Sequence, residues 1–260
     1  MTRRRELALV LPVYNGAPDI AGVVDGWLKE LAALGMDFEV IVLDDGSVDA
    51  TRVLLGSFQA DSRVTLVFKC NEGHGPTILK GYKLAVDRAE WVFQADSDNE
   101  VPHGNFKGLW DRRGEFDALF GERTGRVQPA GRSMVSALAR AAVSLFFGGT
   151  IADVNTPYRL LRADVLRPLL ALLPADTFAP NLVITGMLAR GRARIAGLPV
   201  PSAGGEAVSA ALNGWRLWST AALSFFQTVR FRLGHRGRRP AAASRQGPAD
   251  MTEACKKQNI

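Results

Sequence analysis

The sequence predicts a mostly parallel β-sheet covered by helices on both faces, and three observations carry that prediction. Continuous apolar runs of strand length, LALVLPV at 7–13 and FEVIVLDD at 38–45, flank a helical pattern from Ile20 to Leu34, which makes a βαβ unit. The theme repeats, with VTLVFKC at 64–70 and EWVFQAD at 90–96 enclosing a helical pattern from Thr77 to Arg88. Unbroken apolar strands alternating with helices belong to sheets buried on both sides. Third, a polar cluster follows each strand: Tyr14 and Asn15, Asp44 and Asp45, Asn71, and Asp96 with Asp98. In a parallel sheet these clusters converge on the carboxyl edge, where such sheets bind ligands.

After Gly121 the pattern changes. A helix is expected from Ser133 to Phe147, then the segment DVNTPYRLLR, then helices around Val165 and Leu182 and a short strand from Ile195 to Val200. Ser202 to Gly205 reads as a turn. Residues 215–233 set Trp215, Trp218, Ala222, Phe225, Phe226, Val229 and Leu233 on one helical face, with Leu223 and Phe231 interrupting the other. Beyond Gly234 the chain is Arg-rich, then small and polar, and is expected to be disordered. The expected organisation is one domain over 1–206, with halves at 1–125 and 126–206, an amphipathic helical extension at 207–236, and a tail at 237–260.

With 47% hydrophobic and 22% charged residues, the 260-residue chain has an ordinary globular composition. Its formal charge of +6 is local: residues 207–249 carry seven Arg and no acid, and elsewhere 25 basic residues face 26 acidic ones. Such a segment suits phosphates on a membrane surface or in nucleic acid, or else a solvated tail. The basic start MTRRR precedes an apolar run that is too short for a signal peptide and meets Pro12. Cys70 and Cys255 suggest neither a disulfide framework nor a metal cluster, so a cytoplasmic location is expected, with peripheral contact at the inner face of the membrane.

DDGSVDAT at 44–51 puts two carboxylates at a buried strand end, with Gly46 where the chain must turn. Helix capping by Ser47 or Asp49 is the plainer use of such a stretch, but it does not require paired acids at the strand end. QADSDNE at 94–100 ends another strand with Asp96, Asp98 and Glu100, alternate acids able to meet one Mg²⁺ or Mn²⁺ together with substrate phosphates. An Asp-rich turn before Pro102 is the competing explanation, and the strand-end position argues against it. GHGPTILKG at 73–81 fails the G-x-G-x-x-G spacing and argues against a dehydrogenase.

LPVYN, IVLDDGS, NEGHGP and QADSD, in this order and spacing, resemble glycosyltransferase family 2 with the GT-A (Rossmann-like) fold, over residues 7 to about 205. The resemblance implies that Pro12, Tyr14 and Asp44, with Asn15 and Asp45 beside them, line the nucleotide. It implies too that Gly75 lies by the nucleotide and that Asp96 and Asp98 hold ribose, metal and diphosphate. GER at 121–123 and the stretch ending in DVNTPYR are similar to polyprenyl-phosphate sugar transferases of the dolichol-phosphate mannose synthase type. This implies phosphate contacts from Arg123 and Arg159, for which a guanidinium is suited, and an orienting role for Asp153. The late basic motif of that subfamily is replaced here by PSAGGEAVSA, and DTFAPN at 176–181 puts Pro180 and Asn181 where many members carry an acidic base.

The expected activity is therefore inverting transfer from a UDP- or GDP-sugar to an acceptor, a polyprenyl phosphate at the membrane, with Asp96, Asp98, Asp153 and Arg159 as catalytic groups and Mg²⁺ or Mn²⁺ as cofactor. A phosphate acceptor is already anionic and needs no base, whereas a hydroxyl acceptor is helped by one. The rival is a soluble small-molecule hydroxyl acceptor. A non-catalytic nucleotide-sugar-binding module and a nucleic-acid-binding protein both leave the three acids at one strand end unexplained, and no nucleic-acid partner is expected.

Overall fold

The computed structural model describes residues 4–124 and 156–201. Seven strands among them make one sheet: β1 (Arg5–Val13), β2 (Phe38–Asp44), β3 (Val64–Phe68), β4 (Ala89–Gln94), β5 (Ala118–Thr124), β6 (Arg159–Arg162) and β7 (Ile195–Pro201), in the order β3-β2-β1-β4-β6-β5-β7. Every pairing is parallel except the two made by β6. The mostly parallel α/β architecture expected from the apolar runs is thus the one observed. The helices expected at 133–147 and 215–233, and Asp153, lie outside the described residues.

Alternation along the strands sorts the core into two layers. Leu7, Leu9, Leu11, Val40 and Val42 face α1 (Ile20–Ala33), α2 (Thr51–Gly56) and α4 (Phe106–Asp111). Ala8, Val10, Ile41, Leu43 and Val92 face α3 (His74–Arg88), α5 (Ala163–Leu170) and α6 (Pro180–Arg190). Helix α3 sits close to β1 because Gly81 lacks a Cβ, which would otherwise lie 2.4 Å from Val10 Cγ1.

The ladders end unevenly at the carboxyl edge, and Pro12 is the cause. Val10 O accepts from Ala95 N at 3.2 Å and Val13 O accepts from Asp45 N at 2.9 Å, so alternation turns the Pro12 backbone toward β4, where it has no N–H to donate. The β1–β4 register stops at Val10 opposite Gln94, while β1–β2 runs on to Val13 opposite Asp44. The strands part where the strand order reverses, the place where open α/β sheets bind ligands.

Candidate active site

Three loops leave this edge and are tied to one another before any ligand is considered. After β1, Asn15 adopts a left-handed conformation (φ 52°). Its N–H donates to Ser47 Oγ at 2.9 Å, and its Oδ1 accepts from Val48 N at 2.9 Å. Gly16 N donates to Thr51 Oγ1 (2.9 Å) and Ala17 N to Asp49 Oδ2 (3.1 Å). The loop after β2 needs Gly46 (φ 74°), because a Cβ there would lie 2.7 Å from Asn71 N. Tyr14 remains 51% exposed above these bonds.

The two acids at the end of β2 differ in their partners. Asp44 is buried, accepts from Ser47 N at 3.1 Å, and meets Arg52 Nη2 at 3.4 Å, whose guanidinium lies over the Phe68 ring. Asp45 pairs with buried Lys69 and accepts from Glu72 N and Gly73 N, both at 2.9 Å. Asp45 therefore fixes the chain entering α3. That helix begins at His74, three residues before the expected Thr77, after Gly73 with φ 93°. Gly75 is buried against the backbone of Thr177 and Phe178 rather than lining an open surface. Cys70 lies just beyond β3, and Cys255 lies outside the described residues.

After β4 the chain carries the acids expected to work. Asp96 Oδ1 is enclosed without a hydrogen-bond partner. Burial raises the Asp96 pKa to about 6, and Asp98 and Glu100 add to the rise while His74 and Arg123 oppose it. Asp98 is exposed and accepts from Glu100 N at 3.0 Å. Glu100 turns away to pair with Arg123 at 3.1 Å. The expected three-acid metal set is not formed: among the described residues no group of three His, Cys, Asp or Glu side chains is gathered to hold a cation. Asp96 and Asp98 remain, and an enclosed, unpartnered carboxylate oxygen beside an exposed carboxylate fits a hard divalent ion that draws its other ligands from phosphate or water.

Beneath Asp96 lies a buried polar layer. Tyr82 Oη donates to Gln94 Oε1 at 2.5 Å, and Asn181 Nδ2 donates to the same oxygen at 3.0 Å. Arg159 is fully buried: its Nε donates to Thr156 O (2.9 Å), its Nη1 to Asn181 O (3.1 Å) and Thr185 Oγ1 (3.3 Å), and its guanidinium lies over Phe120. These contacts brace β6 against α6, and the expected phosphate is not needed to explain them. Sequence reasoning missed His74, Lys69 and Arg52 as members of the site. Only His74 left a signal, its place inside NEGHGP.

Comparison with known proteins follows this geometry. The sequence model described as Glycosyl transferase family 2 matches residues 8–169. An undecaprenyl-phosphate 4-deoxy-4-formamido-L-arabinose transferase of Pseudomonas paraeruginosa is 27% identical over 180 residues, 68% of this chain and 52% of the relative. The enzyme of the same name from Pectobacterium carotovorum is 24% identical over 185 residues, covering 70% and 56%. The chain thus spans about half the length of the curated relatives it matches. Among solved structures, glucosyl-3-phosphoglycerate synthase from Mycobacterium tuberculosis, in complex with Mn²⁺, UDP and glucosyl-3-phosphoglycerate, superposes with a TM-score of 0.62 at 20% identity, covering 88% of this chain and 80% of that one. S. aureus TarS in complex with UDP gives 0.52 at 20%, covering 88% and 73%. These likenesses establish the fold as GT-A.

Proposed function

The chain belongs to glycosyl transferase family 2, and on that premise we propose that it transfers a sugar, with inversion, from a nucleoside diphosphate sugar to a polyprenyl phosphate. The observation that carries the reading is Asp96 Oδ1, enclosed and unpartnered beside exposed Asp98 where β1 and β4 part. In a protein interior such an oxygen calls for a ligand. The names of the relatives, which act on undecaprenyl phosphate, support the acceptor class, and the Mn²⁺ and UDP of a structural neighbour support the donor and ion.

On this reading Tyr14 and Asp44 receive the base, and Pro12 contributes by keeping the β1–β4 gap open. Asn15 and Asp45 act as positioning residues that hold the loops around the nucleotide. A divalent cation held by Asp98 and Asp96 would supply Lewis-acid neutralisation of the leaving diphosphate. The acceptor oxygen attacks the anomeric carbon from the face opposite the leaving group, and the bond to the diphosphate breaks with its electron pair. A phosphate oxygen needs no proton removed. That fits Asn181, a neutral amide held by Tyr82 and Gln94, at the start of α6. Arg123, steadied by Glu100, is the cation offered to the acceptor phosphate, and Arg159 and Asp153 are assigned to positioning it.

The test is a donor panel of UDP-, GDP- and dTDP-sugars with Mn²⁺ or Mg²⁺, with and without undecaprenyl phosphate. Metal-dependent appearance of a lipid-linked sugar supports the reading. Transfer only to a soluble hydroxyl acceptor would replace the acceptor class, and no turnover or binding of any donor would remove the reading.

A further inference from the structure

Asp44 ends β2 with its side chain wholly out of solvent, although on the proposed function it receives the base. Its two oxygens are held unequally. Oδ1 accepts from Ser47 N at 3.1 Å, whereas Oδ2 faces the guanidinium of Arg52, with Nη2 at 3.4 Å. That contact is long beside the about 2.7–2.9 Å of a close charge-assisted bond, a distance that Arg63 and Asp61 reach at 2.7 Å elsewhere in the molecule. More than half of the Arg52 side chain, 55%, is open to solvent. Its backbone is better fixed than its head: neighbouring Thr51 is buried and accepts from Gly16 N at 2.9 Å.

The surroundings of that guanidinium suit a flat ligand with a polar edge. Phe68 pairs with Asp44 in the β2–β3 register and is 41% exposed, and Arg52 Cζ lies 4.9 Å from the centre of its ring. On the other side Val13 pairs with Asp44, and exposed Tyr14 follows it. The acid and its cation thus stand at the middle strand of three, with an exposed aromatic ring at the end of each neighbour. A counter-ion alone would balance the charge of Asp44; it would not call for a contact left long with the cation mostly in solvent. Uracil, thymine and guanine carry a ring N–H next to a carbonyl oxygen, a donor beside an acceptor. A carboxylate beside a guanidinium complements that edge, the acid accepting from the N–H and the Arg donating to the carbonyl. Cytosine and adenine reverse the order, and would set a ring-nitrogen lone pair against Asp44 and an amino group against Arg52.

We propose that Arg52 is a specificity-determining residue that selects nucleotides with a ring N–H beside a carbonyl. Its guanidinium yields Asp44 Oδ2 to the base N–H and donates instead to the adjoining carbonyl oxygen. The proposal rests on the proposed function, and pairs of nucleotides that differ at this edge separate the two. Calorimetry in Mn²⁺ would compare UDP with CDP, and GDP with ADP, for the unchanged protein, Arg52→Met and Arg52→Lys, with a thermal melt of each. The unchanged protein should bind UDP or GDP at least about tenfold more tightly than its pair. Arg52→Met should weaken the preferred nucleotide by about fivefold to twentyfold and leave CDP or ADP within about twofold, so that the preference narrows. Arg52→Lys keeps the charge beside Asp44, and with it the fold, but not the planar fork; it should melt with the unchanged protein and still lose part of the preference. Equal losses for both members of a pair, no loss for either, or an unchanged protein indifferent to the base would overturn the proposal while leaving the donor site standing. Failure of the unchanged protein to bind any of the four nucleotides would remove both.

Discussion

Lys69 brings a positive charge into the interior, where only 5% of the residue is exposed, and buried Asp45, with half-exposed Glu72 at 3.0 Å and Cys70 O at 3.0 Å, makes this tolerable. Asp45 also receives the N–H groups of Glu72 and Gly73, so the pair sets where α3 begins and where His74 stands. Removing one member of a buried ion pair leaves the other charge without compensation, which costs about 3–5 kcal/mol. Lys69→Met should therefore lower stability by that amount in denaturant titration, and a loss under about 1 kcal/mol would mean that solvent reaches Asp45 after all. Residue by residue, the sequence was informative where chemistry and strand position coincide. Asp44, Asp45, Asp96 and Asp98 read as strand-end acids from their apolar flanks alone. It was uninformative where partners come from afar: Glu100 looked like a third metal ligand, and Arg123, 23 residues away, takes it instead.

Elements were legible in proportion to their length and periodicity. The four early strands, α1 and the two helices around Val165 and Leu182 stand where apolar spacing put them. Strand β5, ALFGERT, was read only as a motif, because three apolar residues followed by Gly-Glu-Arg give no strand pattern on their own. It is a strand through tertiary pairing, between β6 and β7. Asp117, at its entrance, accepts from Arg162 and from Arg194 at the entrance of β7, each with a contact at 3.2 Å. Hydrogen bonds from Arg194, above all, with the charges of both Arg behind them, hold the Asp117 pKa below the usual carboxylate range. A depressed carboxyl stabilises the fold above its unfolded pKa of about 3.9, and that contribution is lost as pH falls through the lower, folded value. Both Arg partners are more than a third exposed, so screening limits the effect to about 1 kcal/mol. Asp117→Asn should lower the melting midpoint at pH 7, with the gap to the unmodified protein closing below about pH 4; a gap that persists in acid would show that the pairs contribute through geometry and not charge.

At the scale of the whole molecule, the proposed function joins the carboxyl edge of the sheet to the basic C-terminal sequence through a lipid-borne acceptor. No helix among the described residues is long and apolar enough to cross a membrane. The expected membrane contact through Arg230, Arg232, Arg236, Arg238 and Arg239 lies outside the described residues and stands as a proposal, each basic residue near an anionic surface adding about 1 kcal/mol. Changing these five to Gln should reduce sedimentation with phosphatidylserine liposomes, more at low salt than at high, and indifference of the unchanged protein to such liposomes at low salt would end the membrane assignment. The central claim is nearer the sheet edge: Asp98, beside the enclosed Oδ1 of Asp96, engages a metal–diphosphate. The most direct measurement is sugar transfer, or donor hydrolysis in its absence, by the unchanged protein and by Asp98→Asn, each in Mn²⁺ and in excess EDTA, with circular dichroism confirming the fold. Turnover is expected only from the unchanged protein in Mn²⁺, and full activity in EDTA or an undiminished rate for Asp98→Asn would refute the metal–diphosphate assignment.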